Sequence, residues 1–228
     1  MTPRRPYADR LAAGGALARE VGRYAERRDL LVLGLPRGGM PVAARVAQAL
    51  LAPLDAVVVR KLGLPDQPEL AMGAVAVLGD RLEVVRTARL AADSTDEQFE
   101  AALRRESQEL RRRQRAYRGD RPPPSVAGRT VIIVDDGLAT GATMRAAVAA
   151  VRRGRPEAIV VAVPIGARDT CVLLAAEVDE VICPWTPADF TAVGQGYRDF
   201  SATADDEVRA VLGWPGYAAG EPHPRQEE

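Results

Sequence analysis

Two adjacent carboxylates, Asp135 and Asp136, follow four β-branched apolar residues, Val131 to Val134, and precede a run of small and hydroxyl residues: Gly137, Leu138, Ala139, Thr140, Gly141, Ala142 and Thr143. From Met144 to Val151 the chain has strong helix formers and no breaker. The order is a strand buried on both faces, an acidic pair, a small-residue loop and a helix start. A helix start exposes unpaired N–H groups and the positive end of the macrodipole, and small residues let amides close around an anion, so the loop suits a phosphate. Thr140 and Thr143 add hydroxyl donors. The aspartates would repel that phosphate on contact. At the strand end they can instead accept bonds from sugar hydroxyls, directly or through a hydrated cation. A sugar phosphate fits the set, although an isolated Asp-Asp-Gly could equally cap a turn.

Other phosphate motifs fail. A P-loop requires Gly-Lys-Ser/Thr, where this chain has Gly141-Ala142-Thr143, and the G-x-G-x-x-G spacing of a dinucleotide site is absent after the strand. Two further stretches suit anions. Arg37, Gly38 and Gly39 lie between a short apolar strand, Leu30 to Gly34, and a helix read from Pro41 to Leu51, giving a second strand-to-helix loop with a guanidinium beside it. Arg60 and Lys61 end a strand read from Leu54 to Val59, and the carboxyl end of a parallel strand is where open α/β sheets bind ligands. Lys61 is the only lysine among 31 basic residues, which suits a place for a compact three-donor ammonium.

The remaining elements must position these groups. Asp9 to Arg28 has the apolar spacing of a packing helix. Gly73 to Leu78 and Arg81 to Val85 flank Gly79-Asp80 as a hairpin, and Thr95 to Arg118 reads as one long helix. That helix is rich in arginine, but Glu100 with Arg104, Arg105 with Glu109 and Glu109 with Arg113 are spaced to pair at i,i+4, and aromatics for base stacking are scarce. A solvated or oligomer-facing helix is expected rather than a nucleic-acid surface. Strands at Ala158 to Val163 and Val178 to Cys183, with a helix at Arg168 to Glu177 between them, complete an alternation that implies a doubly wound, mainly parallel α/β sheet. The division expected is a packing helix over 1–29, a core over 30–212 carrying an insertion at about 63–125, and a disordered tail over 213–228.

Formal charge is zero, and 47% apolar with 27% charged residues is ordinary for a globular chain, so neither nucleic acid nor an anionic membrane is favoured. No apolar run reaches the length of a membrane span and the first residues lack a signal segment, so a cytoplasmic location is expected. The one histidine, His223, lies in the Pro-rich tail, and Cys171 and Cys183 have no histidine near them, which argues against zinc or histidine catalysis and for structural thiols.

With its hydrophobic strand, two acidic residues and Thr140-Gly141-Ala142-Thr143, the stretch from Val131 to Thr143 resembles the signature of the type I phosphoribosyltransferases, and the likeness runs from about Leu30 to Phe200. The resemblance implies that Asp135 and Asp136 meet the ribose hydroxyls of phosphoribosyl pyrophosphate and approach Mg2+ indirectly, through water and ribose. It gives the 5'-phosphate to Gly137, Ala139, Thr140, Gly141, Ala142 and Thr143. It gives the pyrophosphate to Arg37, Gly38, Gly39, Arg60 and Lys61, and a strained peptide to the Arg37 loop, for which Gly38 and Gly39 are suitable. The segment Trp185 to Phe200, with four of the chain's ten aromatics, is similar to the one with which hypoxanthine-type members hold their base, so Trp185 or Phe190 would stack on it. Aromatics sealing a small flap of core fit as well. Those members carry an Asp where this chain has Ala139, so the loop supplies no general base and the nitrogenous base stays unassigned. The implied activity is transfer of a 5-phosphoribosyl group with release of pyrophosphate, in a homo-oligomer with a hood segment over the site. The rivals are a non-catalytic sensor of the same ligand, for which the N-terminus is short for a helix-turn-helix, and a phosphohydrolase.

Overall fold

The computed structural model describes residues 6–64, 71–78, 81–86, 95–119, 121 and 124–213. The expected disordered tail lies outside the described residues apart from Gly213, as do Gly79 and Asp80 of the expected hairpin and residues 65–70 of the expected insertion.

Five strands form the parallel sheet: β1 (Leu30–Gly34), β2 (Leu54–Ala56), β6 (Thr130–Val134), β7 (Ala158–Ala162) and β8 (Glu180–Ile182), in the order β2-β1-β6-β7-β8. Every residue of β1 and β6 is buried, because helices cover both faces. Leu30, Val32, Ile132 and Val134 point to one side, where α1 (Arg10–Glu20), α2 (Gly39–Leu50) and α6 (Asp205–Gly213) pack. Leu31, Leu33, Val131 and Ile133 point to the other, under α4 (Ala142–Arg152) and α5 (Arg168–Ala175). This is the doubly wound arrangement expected from the alternation of strands and helices.

The strand read from Leu54 to Val59 is in fact two. β2 pairs with β1 only as far as Gly34 with Ala56, since beyond Gly34 the chain of β1 turns away into α2 and leaves no partner edge. The chain continues as β3 (Val58–Gly63) in a second, antiparallel sheet with β4 (Ala71–Leu78) and β5 (Arg81–Arg86). Arg60 and Lys61 therefore stand inside an antiparallel strand rather than at the end of a parallel one. The hairpin has the expected partners, with Leu78 opposite Arg81.

The small sheet lies between two helices. Ala74 and Ala76 meet Ala146 and Ala150 of α4, a contact that methyl groups keep close. On the opposite side Met72, Val75 and Val77 share a core with Phe99, Ala102 and Leu110 of α3 (Asp96–Arg118). A capping box of Thr95 and Gln98 starts α3. Its arginines are partly employed: Glu109 binds Arg113 at 2.8 Å and Arg112 at 2.7 Å, while Arg105 turns to Glu106 at 3.0 Å instead of Glu109. At its far end Arg118 donates to Asp55 of β2 at 2.9 Å, both side chains 8% exposed, and this pair ties the insertion to the edge of the parallel sheet. Burial raises the Asp55 carboxyl above its usual range against the pull of Arg118. Among the described residues no helix is long and apolar enough to cross a membrane.

Removing one member of a buried pair strands the other's charge. Arg118→Met is expected to cost about 3–5 kcal/mol in urea unfolding, and adding Asp55→Leu to recover most of it. A double variant as unstable as the single one would show that the pair is not what joins the two sheets.

Candidate active site

Strand order reverses between β1 and β6, which are parallel and in register from Leu30 with Thr130 to Gly34 with Val134. One further bond, Leu35 N–H to the Val134 carbonyl at 2.9 Å, carries the pairing past the strand ends. The two chains then leave for helices on opposite faces, opening the crevice in which sheets of this order place ligands. The loops from the two strands meet there. A Cβ on Gly39 would lie 2.9 Å from the Asp135 Cα and the Val134 carbonyl oxygen, and one on Gly38 would run into the Asp136 carboxylate. Glycine is required at both positions by this close approach. The peptide between Pro36 and Arg37 is cis, one residue before the pair of glycines.

Asp135 accepts the Asp136 N–H at 2.8 Å. Burial and then the neighbouring Asp136 charge push the Asp135 carboxyl well above its usual range; burial raises Asp136 as well, although Arg10 opposes the shift. Arg10, from the first turn of α1, sets its Nε 2.8 Å from Asp136 Oδ2, gives Nη1 to the Ser201 carbonyl at 2.6 Å, and lays its guanidinium 4.0 Å over the Phe200 ring. The Tyr197 hydroxyl donates to the Asp136 carbonyl, and burial raises its phenol far above the usual value, so it remains a donor. Local pattern marks none of these partners. Arg10 sits in a helix expected only to pack, and it reaches the site because Tyr7 N–H to Gly196 and Arg198 N–H to Tyr7, both 2.8 Å, stitch the two distant segments together.

The loop after β6 is fixed at its base and open at its tip. Leu138 N–H binds the Ile165 carbonyl at 2.9 Å, Ala167 N–H binds the Leu138 carbonyl at 2.8 Å, and Thr170 donates its hydroxyl to Ala139 O at 2.7 Å. Gly137 lies against Val193, where a side chain would collide. Gly141, at φ +77°, turns the chain into α4, and its carbonyl takes the first helical bond from Arg145 N–H at 2.9 Å. The N–H groups of Ala142, Thr143 and Met144 precede that bond and are left for an outside acceptor. Ala139 and Thr140 are exposed beside them, while Thr143 is half-buried.

In the other loop Gly39 N–H is already committed to the Leu35 carbonyl at 3.0 Å, so it is not among the free amides, and Gly38 is the one of the two glycines that can offer its N–H. Arg37 is exposed, 3.8 Å from Asp205 of α6, whose same oxygen accepts the Tyr117 hydroxyl at 2.6 Å. Arg60 is drawn away from the crevice, since its guanidinium holds Glu106 of α3 at 2.7 Å. Lys61, one residue on, faces the opposite side of β3. It pairs with Ala74, which packs on α4, so the exposed lysine lies on the face of the sheet that meets the helix following the β6 loop. Neither has a hydrogen bond or ion pair to either loop among the described residues. Trp185 and Phe190 join a small cluster with Tyr7, Ala13, Ile165, Val193 and Tyr197, with the Trp185 ring edge-on to Tyr7 at 5.8 Å.

The raised carboxyls make the site costly to stability. At these two groups the folded chain keeps protons that the unfolded chain releases, so the stability this pair contributes is greatest in acid and is lost as pH climbs from the ordinary carboxylate range through the raised values. Asp135→Asn keeps an acceptor for the Asp136 N–H and removes the charge. Thermal unfolding is expected to show this variant several degrees more stable than the parent at pH 8, with the gap closing toward pH 4; a variant less stable at both would contradict the burial argument.

The family of the phosphoribosyl transferase domain matches residues 7–195. Mycobacterium tuberculosis Rv0571c and MT0597, both provisionally named phosphoribosyl transferases, are each 48% identical over 209 residues, which is 90% of this chain and 46% of theirs. The chain thus spans about half the length of the curated relatives it matches. The crystal structure of TT1426 from Thermus thermophilus superposes with a TM-score of 0.77 at 40% identity, covering 91% of this chain and 97% of that one. AQ2163 from Aquifex aeolicus, at 13% identity with a TM-score of 0.50 over 89% and 85% of the two chains, shares the fold alone. Family model, relatives and strand order agree, and the chain belongs to the phosphoribosyltransferase family.

Proposed function

We propose that this chain transfers a 5-phosphoribosyl group from phosphoribosyl pyrophosphate to a nitrogenous base and releases pyrophosphate. The observation that carries the reading is the meeting of two strand-to-helix loops at the switch point, one offering free amides at a helix start and the other a glycine amide and Arg37, with Asp135 and Asp136 between them. In this reading the amides of Ala142, Thr143 and Met144 and the hydroxyls of Thr140 and Thr143 hold the 5'-phosphate. Asp135 and Asp136 accept the ribose hydroxyls. Arg37, Lys61 and the Gly38 amide meet the departing pyrophosphate, where fixed positive groups stabilise charge as it develops. Cleavage at the sugar carbon passes through an oxocarbenium-like state, as at other glycosyl centres.

Mg2+ fits these residues in one mode. No cluster of three or more His, Cys, Asp or Glu able to cage a cation exists among the described residues. Two hard carboxylates in a crevice suit an ion that keeps its waters and takes its remaining oxygens from substrate. Bound there, Mg2+ would neutralise pyrophosphate and make it a better leaving group. The base would lie on the Trp185 and Phe190 side. Ala139 brings no carboxylate to it, so the acceptor's own nitrogen must be nucleophilic or be deprotonated by another group.

Labelled phosphoribosyl pyrophosphate with Mg2+ and a panel of purine and pyrimidine bases tests the proposal. Pyrophosphate release that depends on one base is expected; release without a base would mean hydrolysis, and binding without turnover would mean a sensor. Asp136→Asn and Lys61→Ala should each lower kcat/KM about tenfold or more, at least about 1.4 kcal/mol of transition-state stabilisation. Arg60→Ala should instead show its effect in stability, because its partner is Glu106. Unchanged turnover in both of the first two variants would defeat the assignment.

A further inference from the structure

Behind the phosphate loop, α5 and the end of β8 bring the chain's two cysteines together. Both sulfurs rest over Gly166: the point where its Cβ would stand is 3.2 Å from Cys171 Sγ and 3.2 Å from Cys183 Sγ, and 3.0 Å from Leu138 Cβ, so any larger residue there would press on both thiols. The neighbouring Cys183 thiol is the main reason the Cys171 thiol is held below its ordinary value, against the effect of burial. Both residues are half-buried and unbridged, which leaves a small oxidant a route to them. Each is one or two residues from a group that shapes the candidate site. Cys171 follows Thr170, whose hydroxyl fixes the Ala139 carbonyl at 2.7 Å, and the Cys183 thiol approaches the Trp185 carbonyl at 3.5 Å. Between them, Gly166 N–H donates to that same Trp185 carbonyl at 3.0 Å, while its neighbours Ile165 and Ala167 bond Leu138 of the phosphate loop at 2.9 and 2.8 Å.

We propose that Cys171 and Cys183 are a redox-modification site, a thiol pair that peroxide closes to an intrachain disulfide, and that closure tightens the joint between the phosphate loop and the Trp185 segment. The chemistry balances in two steps. The Cys171 thiolate attacks one peroxide oxygen, the O–O bond breaks, and hydroxide leaves, giving a sulfenic acid. Cys183 sulfur then attacks the sulfenic sulfur, and the hydroxyl departs as water with the Cys183 proton. Two thiols lose two electrons and peroxide is reduced to water. A start near the first turn of α5 favours the thiolate at Cys171, and the neighbour within reach makes the disulfide faster than overoxidation. In the joint, closure replaces a thiol donor with a covalent tie between α5 and β8, so Thr170 and Trp185 lose freedom together.

The full chain answers this without any substrate. A few equivalents of peroxide should remove both titratable thiols, lower the intact mass by two hydrogens with no dimer formed, and be fully reversed by dithiol reductant. Cys171→Ser and Cys183→Ser should each retain one thiol or gain oxygen on it. In the oxidised parent, amide exchange over residues 138–144 and 185–190 should slow about threefold or more, while that of the α3 helix stays unchanged. Sulfinic acid on either cysteine of the parent, or disulfides only between chains, overturns the pair. A closed pair with unaltered exchange in both segments overturns its coupling to the site. Reversal of the oxidised parent needs no variant, so misfolding of either serine form leaves the outcome decided.

Discussion

Two neighbouring carboxylates at the end of a buried strand repel each other and have lost most of their water, and the site is arranged around offsetting that cost. Asp135 receives one backbone N–H, and Asp136 receives the guanidinium of Arg10. Both still have raised carboxyl values, so burial outweighs the partners the chain supplies. A site left short of donors in this way attracts groups that donate hydrogen bonds or bring positive charge. Sugar hydroxyls do the first and a hydrated divalent cation does the second, so the electrostatic imbalance that weakens the free protein is the one that the proposed sugar pyrophosphate and Mg2+ would relieve.

The antiparallel insertion gains meaning from where it rests. Its Ala74 and Ala76 lie on Ala146 and Ala150 of α4, the helix whose first amides are proposed to hold the phosphate. Small side chains there hold sheet and helix close, so the sheet that carries Lys61 is referenced to the loop after β6 through one packed layer. The other face of the sheet is closed by α3, whose last turn is bound to β2 by Arg118 and Asp55. The insertion is therefore anchored at α4, the helix that follows the β6 loop, and at the edge of the parallel sheet.

What could be read in the sequence was what depends on neighbours in the chain. The strands at Leu30 and Val131, the small-residue loop and the helix behind it carry continuous local signals of apolar runs, glycines and helix formers, and their placement follows. Long-range choices were not legible. Nothing within Leu54 to Val59 says that its partner edge runs out at Gly34, so the break at Val57 and the transfer of Arg60 to Glu106 depend on tertiary structure. Arg10 and Asp136 are separated by 126 residues, and pairing between distant segments, such as the bridge of Tyr7 with Tyr197 and the Asp199 N–H bond to the Ala8 carbonyl, brings them together. Gly39 looked like a donor to an anion because glycine loops often are; its N–H is taken by Leu35 as the chain winds into α2.

The two halves of the proposed site are built to different standards of rigidity. The donor side stands on adjacent strand ends, where register fixes Gly34 against Val134 and leaves no slack between Gly39 and Asp135. The aromatic side hangs on irregular chain, held by a few bonds from Tyr7, Gly166 and Arg10. Arg10 joins them, because one guanidinium binds Asp136, the Ser201 carbonyl and the face of Phe200 at once. Displacing Phe200 would cost Arg10 part of what aligns it on Asp136, and a ligand that competes for Asp136 would loosen Arg10 from Phe200 and Ser201. A shift on either side is therefore felt on the other through a single residue, without any change in the sheet that supports both.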